Sequence, residues 1–405
     1  MRFFLPGQTE MCLAFVTLIG GAAVIHRVLC HVRTLPDVPF YLIWGIVLGP
    51  VLGFIRVPFD SSFTVNMLPV AAGVILFAGG AHLPLDGLRR MRMSITLLAT
   101  LGVLIASIVV ALFIHGIWNL SWAFAWMCAI AIANTDPASV IPILSQLSVP
   151  GPIRITMEAE SAFNDTMSAV MTSILMAALV SHGSFAMVFE QSARQILLGL
   201  MVGLAMGYAA GAISPRSRML STALVMTTAI IPYLLALYIG SNGYVASFTA
   251  GLSWQFRQHS PSNVGISHLS TVARIAIFSW LGLIMPIGIF RTYWPLAVGT
   301  SLVLMFAARP LTVLGSLGWI RGWSIQEKLF MMWIRETGAI SAVLAIQVGT
   351  HFPAWKPSIL AIVFSSIFFT VGIQAPSTGI VLRVLGLVSS QKEKIPESGK
   401  QSTRT

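Results

Sequence analysis

The sequence predicts an all-α, polytopic membrane protein of about thirteen transmembrane helices, and three observations carry that expectation. Hydrophobic residues make up 56% of the 405 residues and charged residues only 9%, far less charge than a soluble chain of this length uses. Apolar runs long enough to cross a bilayer recur from end to end. The net charge of +11 is unevenly placed. Basic residues collect in alternate short loops, the pattern of an inner-membrane protein, and no basic stretch interleaved with aromatics points to nucleic acid.

The first apolar run follows Glu10 without a small-residue cleavage site behind it. It therefore reads as a first span, 11–30, and not as a cleaved signal. Spans two and three, 38–55 and 64–83, lead to the basic cluster Arg89-Arg90-Arg92, and span four covers 94–117. Span five, 121–147, is interrupted by Asn134-Thr135-Asp136-Pro137. Span six, 157–181, carries acidic residues, and span seven, 192–213, runs into Arg216 and Arg218. Gly240, Asn242 and Gly243 make a tight turn between span eight, 219–239, and span nine, 242–257. Spans ten and eleven, 268–290 and 294–315, are followed by Arg321 and Lys328. Span twelve, 326–349, carries Arg335-Glu336-Thr337-Gly338, and span thirteen covers 356–378. Residues 388–405 form a polar tail expected to be disordered and cytoplasmic. With the tail inside, an odd number of spans puts the N-terminus outside and most of the 24 Lys/Arg residues on the cytoplasmic side, whereas an even number breaks the alternation. Connections are short, so 1–387 reads as a single transmembrane domain. Cys12, Cys30 and Cys128 read as small packing residues; the sequence shows no disulfide framework or metal cluster, and it calls for no cofactor.

Spans five and twelve share polar residues at the centre of an apolar run. If the chain holds two six-helix halves, before and after span seven, these are the fifth helix of each half. Interrupted helices at matching positions point to a transporter built from inverted repeats, with an ion site at the breaks.

Asp165 lies in an apolar stretch where a carboxylate costs roughly 2.5 to 3.5 kcal/mol on insertion scales. Helical spacing puts Glu158, Ser161 and Asp165 on one stripe of span six, and Glu160 and Asn164 on a second stripe beside it. A carboxylate so placed needs a counter-charge, and a proton and a small cation then compete for it. In span five, Pro137 and Pro142 leave the carbonyls of Ala133 and Ala138 without amide partners. Those carbonyls and the Thr135 hydroxyl are hard oxygen ligands suited to Na⁺ or K⁺. Asp136 adds charge, and it also suits the N-cap of the half-helix that restarts at Pro137. Glu160 needs a buried base; Arg335 is the leading partner, with Arg309 as the alternative. Arg309-Pro310 also fits a helix end and Arg274 an interface, each with its side chain snorkelling to water.

Thr135-Asp136-Pro137-Ala138-Ser139-Val140 resembles the T-D-P-x-x-V motif, and Glu160-Ser161-Ala162-Phe163-Asn164-Asp165 the E-S-x-F-N-D motif, of monovalent cation/proton antiporters of the NhaP or sodium/hydrogen exchanger type. Phe77-Ala78-Gly79-Gly80 is similar to that family's F-E-G-G, and Tyr244–Leu252 and Ala308-Arg309-Pro310-Leu311 also fit, so the resemblance runs from about residue 38 to 375. It implies a homodimer whose mobile core contains crossed, discontinuous helices five and twelve. It also implies that Asp165 carries the cation and the proton, that Thr135, Asp136 and Ser161 ligate or shape the site, and that Asn164 supports it. Asn164 in place of a second aspartate resembles the electroneutral branch. The departures are Ala78 in place of a glutamate, Ala159 in place of a common glycine, and Thr337-Gly338-Ala339 in place of Arg-Gly-Ala, which leaves Arg335 two residues early.

The expected activity is secondary antiport of Na⁺, ahead of K⁺ or Li⁺, against H⁺, with no enzymatic chemistry. The chain has no phosphate-binding loop, which disfavours an ATP-driven pump. A sodium-coupled symporter of an organic anion would need a larger polar cavity, and a cation channel a carbonyl-ring filter motif. A receptor that has lost transport would not need Asn164 and Asp165.

Overall fold

The computed structural model describes residues 8–29, 36–55, 57–147, 149–181, 184–213, 217–258 and 264–388. The expectations placed on Cys30, on Arg216 and on the tail beyond Val388 fall outside these residues. All regular structure among the described residues is helical. The helices, joined where a π turn continues one into the next, are α1 (Gln8–Leu29), α2 (Val38–Val51), α3 (Ser62–Ala81), α4 (85–118), α5a (Trp122–Ile132) with α5b (Ile141–Gln146), α6 (Gly151–Val180), α7 (Phe185–Gly211), α8 (Arg218–Tyr238), α9 (Gly243–Gln258), α10 (Val264–Ile284), α11 (287–317), α12a (Ile325–Trp333) with α12b (Ala339–His351), and α13 (356–384). Eight of them, α3, α4, α6, α7, α8, α10, α11 and α13, are each long and apolar enough to cross a membrane.

Several boundaries differ from the sequence reading: α6, α7 and α11 start earlier than expected, at Gly151, Phe185 and Ile287, α13 runs on to Val384, and two further differences have a clear local cause. Helix α4 begins at Leu85, well before the expected 94, because Arg89, Arg90 and Arg92 occupy the exposed face of an amphipathic first section while Leu88 and Met91 pack on the core. The tenth span stops at Ile284 instead of reaching 290. Pro286 has no amide to continue the ladder, and the next helix starts just after it at Ile287.

Three long helices contain a π turn, at Leu98–Gly102 in α4, Leu304–Ala308 in α11 and Thr370–Gln374 in α13. Each inserts a local change of register, a feature often found beside functional sites. The turn in α11 precedes Arg309-Pro310 and sets Arg309 in mid-helix, pointing inward. The turn in α13 presents the Thr370 hydroxyl and the Gln374 amide to the break in α12: Thr370 Oγ1 accepts from the Thr337 amide at 3.0 Å, and Gln374 Nε2 donates to the Trp333 carbonyl at 2.7 Å.

Helix α9 packs tightly against α3 and α7, and α3 in turn lies against α6 and α12b. The Gly79-Gly80 pair makes this possible. A methyl group on Gly80 would overlap the Phe248 carbonyl of α9, and reciprocally one on Gly251 would overlap the Phe77 carbonyl of α3. Gly79 faces Ala162 of α6 at ordinary van der Waals distance, 3.4 Å from an added Cβ. The backbone of α3 is thus held within contact of the helix that carries Asp165.

Gly251→Val is expected to force α3 and α9 apart and to cost at least the 1–3 kcal/mol or so typical of overpacking. Gly116→Ala, where an added Cβ meets nothing within 4 Å, serves as the neutral control. Thermal unfolding followed by size-exclusion chromatography in detergent checks this; equal midpoints for the two variants would contradict the close approach.

Candidate functional site

Helices α5 and α12 are both broken, and the breaks lie against each other. The Asp136 amide donates to the Glu336 carbonyl at 2.8 Å. Every helix end created here must find partners inside the protein, because no water reaches most of it. Arg335 answers the C-terminal end of α5a: its Nη2 donates to the Ile132 carbonyl at 2.6 Å and to the Asn134 carbonyl at 3.3 Å. A cation at that end also suits the helix dipole. The carboxylate of Glu336 accepts from the Ser139 amide at 3.3 Å, where α5 restarts. Asp136 Oδ1 accepts from the Ala138 amide at 3.1 Å and so caps its own break. Asp136 also lies directly on Gly338, the N-cap of α12b, where a Cβ would meet Asp136 Oδ2 at 2.9 Å. Each break therefore supplies a carboxylate to the amides where α5 restarts, while α12b starts at Gly338 without a side-chain cap. The Asn134 side chain accepts from Ser341, adding a further bond between α5 and α12b.

Helix α6 runs past this crossing. Glu158, Ser161 and Asp165 line a cavity of about 630 Å³, together with Ala78, Gly79 and His82 from α3 and its turn, Asp136 and Pro137 from the first break, and Arg274 from α10. Asp165 is 6% exposed, and its Oδ1 is buried with no hydrogen-bond partner among the described residues. Arg274 Nη2 stands 3.3 Å from Asp136 Oδ1. Nearer the mouth, Arg154 and Glu158 pair at 2.8 Å. Burial lowers the pKa of His82, which lies in the turn after α3, below the ordinary histidine value.

The second stripe of α6 faces the protein interior. Asn164 Nδ2 donates to Thr135 Oγ1 at 3.0 Å, tying α6 to the first break. Of the residues expected at the site, Asp136, Ser161 and Asp165 line the cavity, whereas Thr135 and Asn164 are buried off its wall. The carbonyls expected to be open to a cation are those of Ala133 and Ala138; the neighbouring carbonyls of Ile132 and Asn134 accept from Arg335.

The leading partner for Glu160 is corrected. Glu160 pairs with Arg309, which was the alternative, through Nη1 to Oε1 and through Nη2 to Oε2 at 3.2 Å. Both side chains are about 2% exposed. Arg309 Nε also donates to the Met331 and Ile334 carbonyls at 2.8 and 2.9 Å, which satisfies the C-terminal end of α12a. Arg335 misses Glu160 because it lies in the extended segment after α12a and is drawn to the open carbonyls of α5a. Arg309 and Arg274 do not snorkel: the first is 2% exposed and the second lines the cavity. The roles of Arg274 and of Glu336 as a cap were missed in the sequence. Glu336 carries a visible signal, an acid at a helix break; Arg274 carries none without the fold.

The family described as sodium/hydrogen exchanger, transmembrane, matches residues 14–384. The chain is 27% identical to Na(+)/H(+) antiporter 1 of Methanocaldococcus jannaschii over 369 residues, covering 84% of each. It is 23% identical to the Na(+)/H(+) antiporter NhaH of Halobacillus dabanensis, over 85% of this chain and 91% of that protein. It is 25% identical to the K(+)/H(+) antiporter NhaP2 of Shewanella sp. (strain ANA-3), over 81% of this chain but only 60% of that longer protein. The fold superposes on the structure of the sodium proton antiporter MjNhaP1 from Methanocaldococcus jannaschii at pH 8 with a TM-score of 0.81, at 22% identity, covering 91% of this chain and 100% of that one.

Glu160→Gln is expected to destabilise the protein by about 3–5 kcal/mol, because it strands a buried arginine. Adding Arg309→Gln should recover much of that loss, and adding Arg335→Gln should recover none. Thermal midpoints of the four proteins test the pairing; rescue by Arg335→Gln alone would restore the discarded assignment.

Proposed function

Because the chain belongs to the sodium/hydrogen exchanger family, we propose that it is a secondary antiporter that moves one monovalent cation against one proton by alternating access around Asp165. The observation that carries this reading is the Asp165 carboxylate, buried at the floor of an open cavity with an unpartnered oxygen. A carboxylate there is unstable alone. A proton neutralises it, and so does a bare cation held by oxygens, but the two exclude each other. Asp136 and Ser161, on the same wall, supply further oxygens, and Thr135 is braced by Asn164 from behind. Na⁺ is the first choice of cation, ahead of K⁺ or Li⁺.

In this reading all thirteen helical segments span the bacterial inner membrane as one domain, with the N-terminus outside and the tail in the cytoplasm. The cavity mouth, at His82, Pro84, Arg154 and Ser267, lies on the side of the loop leading to Arg89, Arg90 and Arg92. The positive-inside rule makes that side cytoplasmic, so the structure corresponds to an inward-open state. The protein works as a homodimer, and α5, α6 and α12 belong to the moving core.

The experiment is cation-driven pH change in proteoliposomes, scanned over Li⁺, Na⁺ and K⁺. At least one of the three should collapse a preset pH gradient. Asp165→Asn should remain folded and abolish the signal, since the amide keeps the shape but loses the charge that both ions share; exchange at the wild-type rate would refute the assignment. Thr135→Ala should raise the half-saturating cation concentration more than it lowers the maximum rate. An unchanged half-saturation would leave Thr135 a bracing role only.

A further inference from the structure

The cavity that leads to Asp165 contains a fixed positive charge of its own. Arg274 projects from α10 into the same floor, 3.3 Å from Asp136 Oδ1. Its Nε is buried and finds no hydrogen-bond partner among the described residues, and its Nη2 faces a carboxylate, whereas Arg309 and Arg335 donate to the carbonyls of helix ends. The other charged side chains nearby are paired or lie off the cavity lining. Arg154 and Glu158 pair with each other, Glu160 is held by Arg309, and Glu336, which does not line the cavity, accepts from the Ser139 amide. The floor itself is left with two carboxylates, Asp136 and Asp165, and one arginine.

Two carboxylates and a hydroxyl facing a common cavity form a hard-oxygen set of the kind that Ca²⁺ or Mg²⁺ takes. With Arg274 present, the floor carries one net negative charge, which suits one monovalent cation or one proton. We propose that Arg274 sets the valence of the cargo: a tethered monovalent cation that leaves too little negative charge for a divalent ion. An arginine suits this role because it stays charged at every working pH, so it lowers the floor's charge by a constant amount instead of titrating along with the site. The inference rests on the antiport reading of the cavity.

The test compares wild type, Arg274→Gln, Arg274→Lys, Asp136→Asn and the double variant Asp136→Asn/Arg274→Gln in proteoliposomes at one fixed alkaline pH. Na⁺ drives exchange, and millimolar Ca²⁺ or Mg²⁺ is added as competitor. Arg274→Gln should lower the half-saturating Na⁺ concentration by about tenfold or more, as expected when a charge in contact with a carboxylate is removed. It should also make exchange sensitive to Ca²⁺ or Mg²⁺, whereas wild type and Arg274→Lys stay insensitive. Asp136→Asn alone leaves the floor neutral and should weaken Na⁺ binding. The double variant restores one net negative charge and should recover Na⁺ affinity without divalent inhibition. A merely structural arginine would produce neither the divalent sensitivity nor its reversal. Arg274→Gln that exchanges with unchanged half-saturation and no divalent inhibition would overturn the proposal. So would equal half-saturation in Asp136→Asn and the double variant, a comparison that holds even if Arg274→Gln alone fails to fold. Absence of exchange in wild type itself would instead count against the antiport reading.

Discussion

Two helices broken in an apolar interior create four helix ends whose amides and carbonyls have no water to turn to, and the core of this protein is arranged around satisfying them. An unsatisfied backbone group in such a place costs several kcal/mol. Arg335 covers the end of α5a, while Arg309 and Gln374 cover the end of α12a. Glu336 and Asp136 both serve the restart of α5, Thr370 takes the Thr337 amide just before α12b, and one backbone hydrogen bond joins break to break. The same constraint explains why so many charges lie far from water. Most are there to close helix ends, and ion handling falls to what is left over. It also explains the glycines nearby: Gly338 lets a carboxylate rest on a helix start, and Gly79 and Gly80 let α3 approach α6 and α9.

What is left over follows from counting partners. Five carboxylates, Asp136, Glu158, Glu160, Asp165 and Glu336, face four arginines, Arg154, Arg274, Arg309 and Arg335. The Glu160–Arg309 pair is desolvated on both sides and gains its worth from locking α6 to α11 and α12a, since a buried pair by itself contributes little net stability. Among the described residues neither Glu336 nor Asp165 is paired with an arginine; Glu336 accepts from the Ser139 amide off the cavity wall, which leaves Asp165 as the unpaired carboxylate that lines the cavity. It is placed where the cavity ends and the broken helices begin, so in the proposed mechanism a change in the relative position of α6 and the crossing alters which side of the membrane its oxygens face.

Much of this was legible in the sequence because helix periodicity is local. The spacing of Glu158, Ser161 and Asp165 correctly put them on one wall, and that of Glu160 and Asn164 turned them inward. Pro137 and the polar run at 335–338 marked both breaks. What failed was pairing across the fold. Arg335 and Arg309 were each chemically able to hold Glu160, and only the direction of an extended segment decided between them. Arg274 resembled an interface residue because its partner Asp136 lies 138 positions away in sequence, on a helix it does not adjoin. The early start of α4 was hidden because a basic amphipathic turn and a basic loop have the same composition.

The central claim is that one unmatched carboxylate, Asp165, is shared in turn by one cation and one proton, so that both half-cycles carry the same net charge. Moving a single uncompensated charge is worth about 2.3 kcal/mol per 100 mV, which makes voltage a sensitive probe of any imbalance. The direct measurement is Na⁺/H⁺ exchange in proteoliposomes whose membrane potential is set by a potassium gradient and valinomycin. The account predicts that neither the rate nor the final pH gradient depends on the imposed voltage. A clear dependence of either on voltage would show that a second titrating group, Asp136 or Glu336, carries a proton as well, and would contradict the single-carboxylate mechanism.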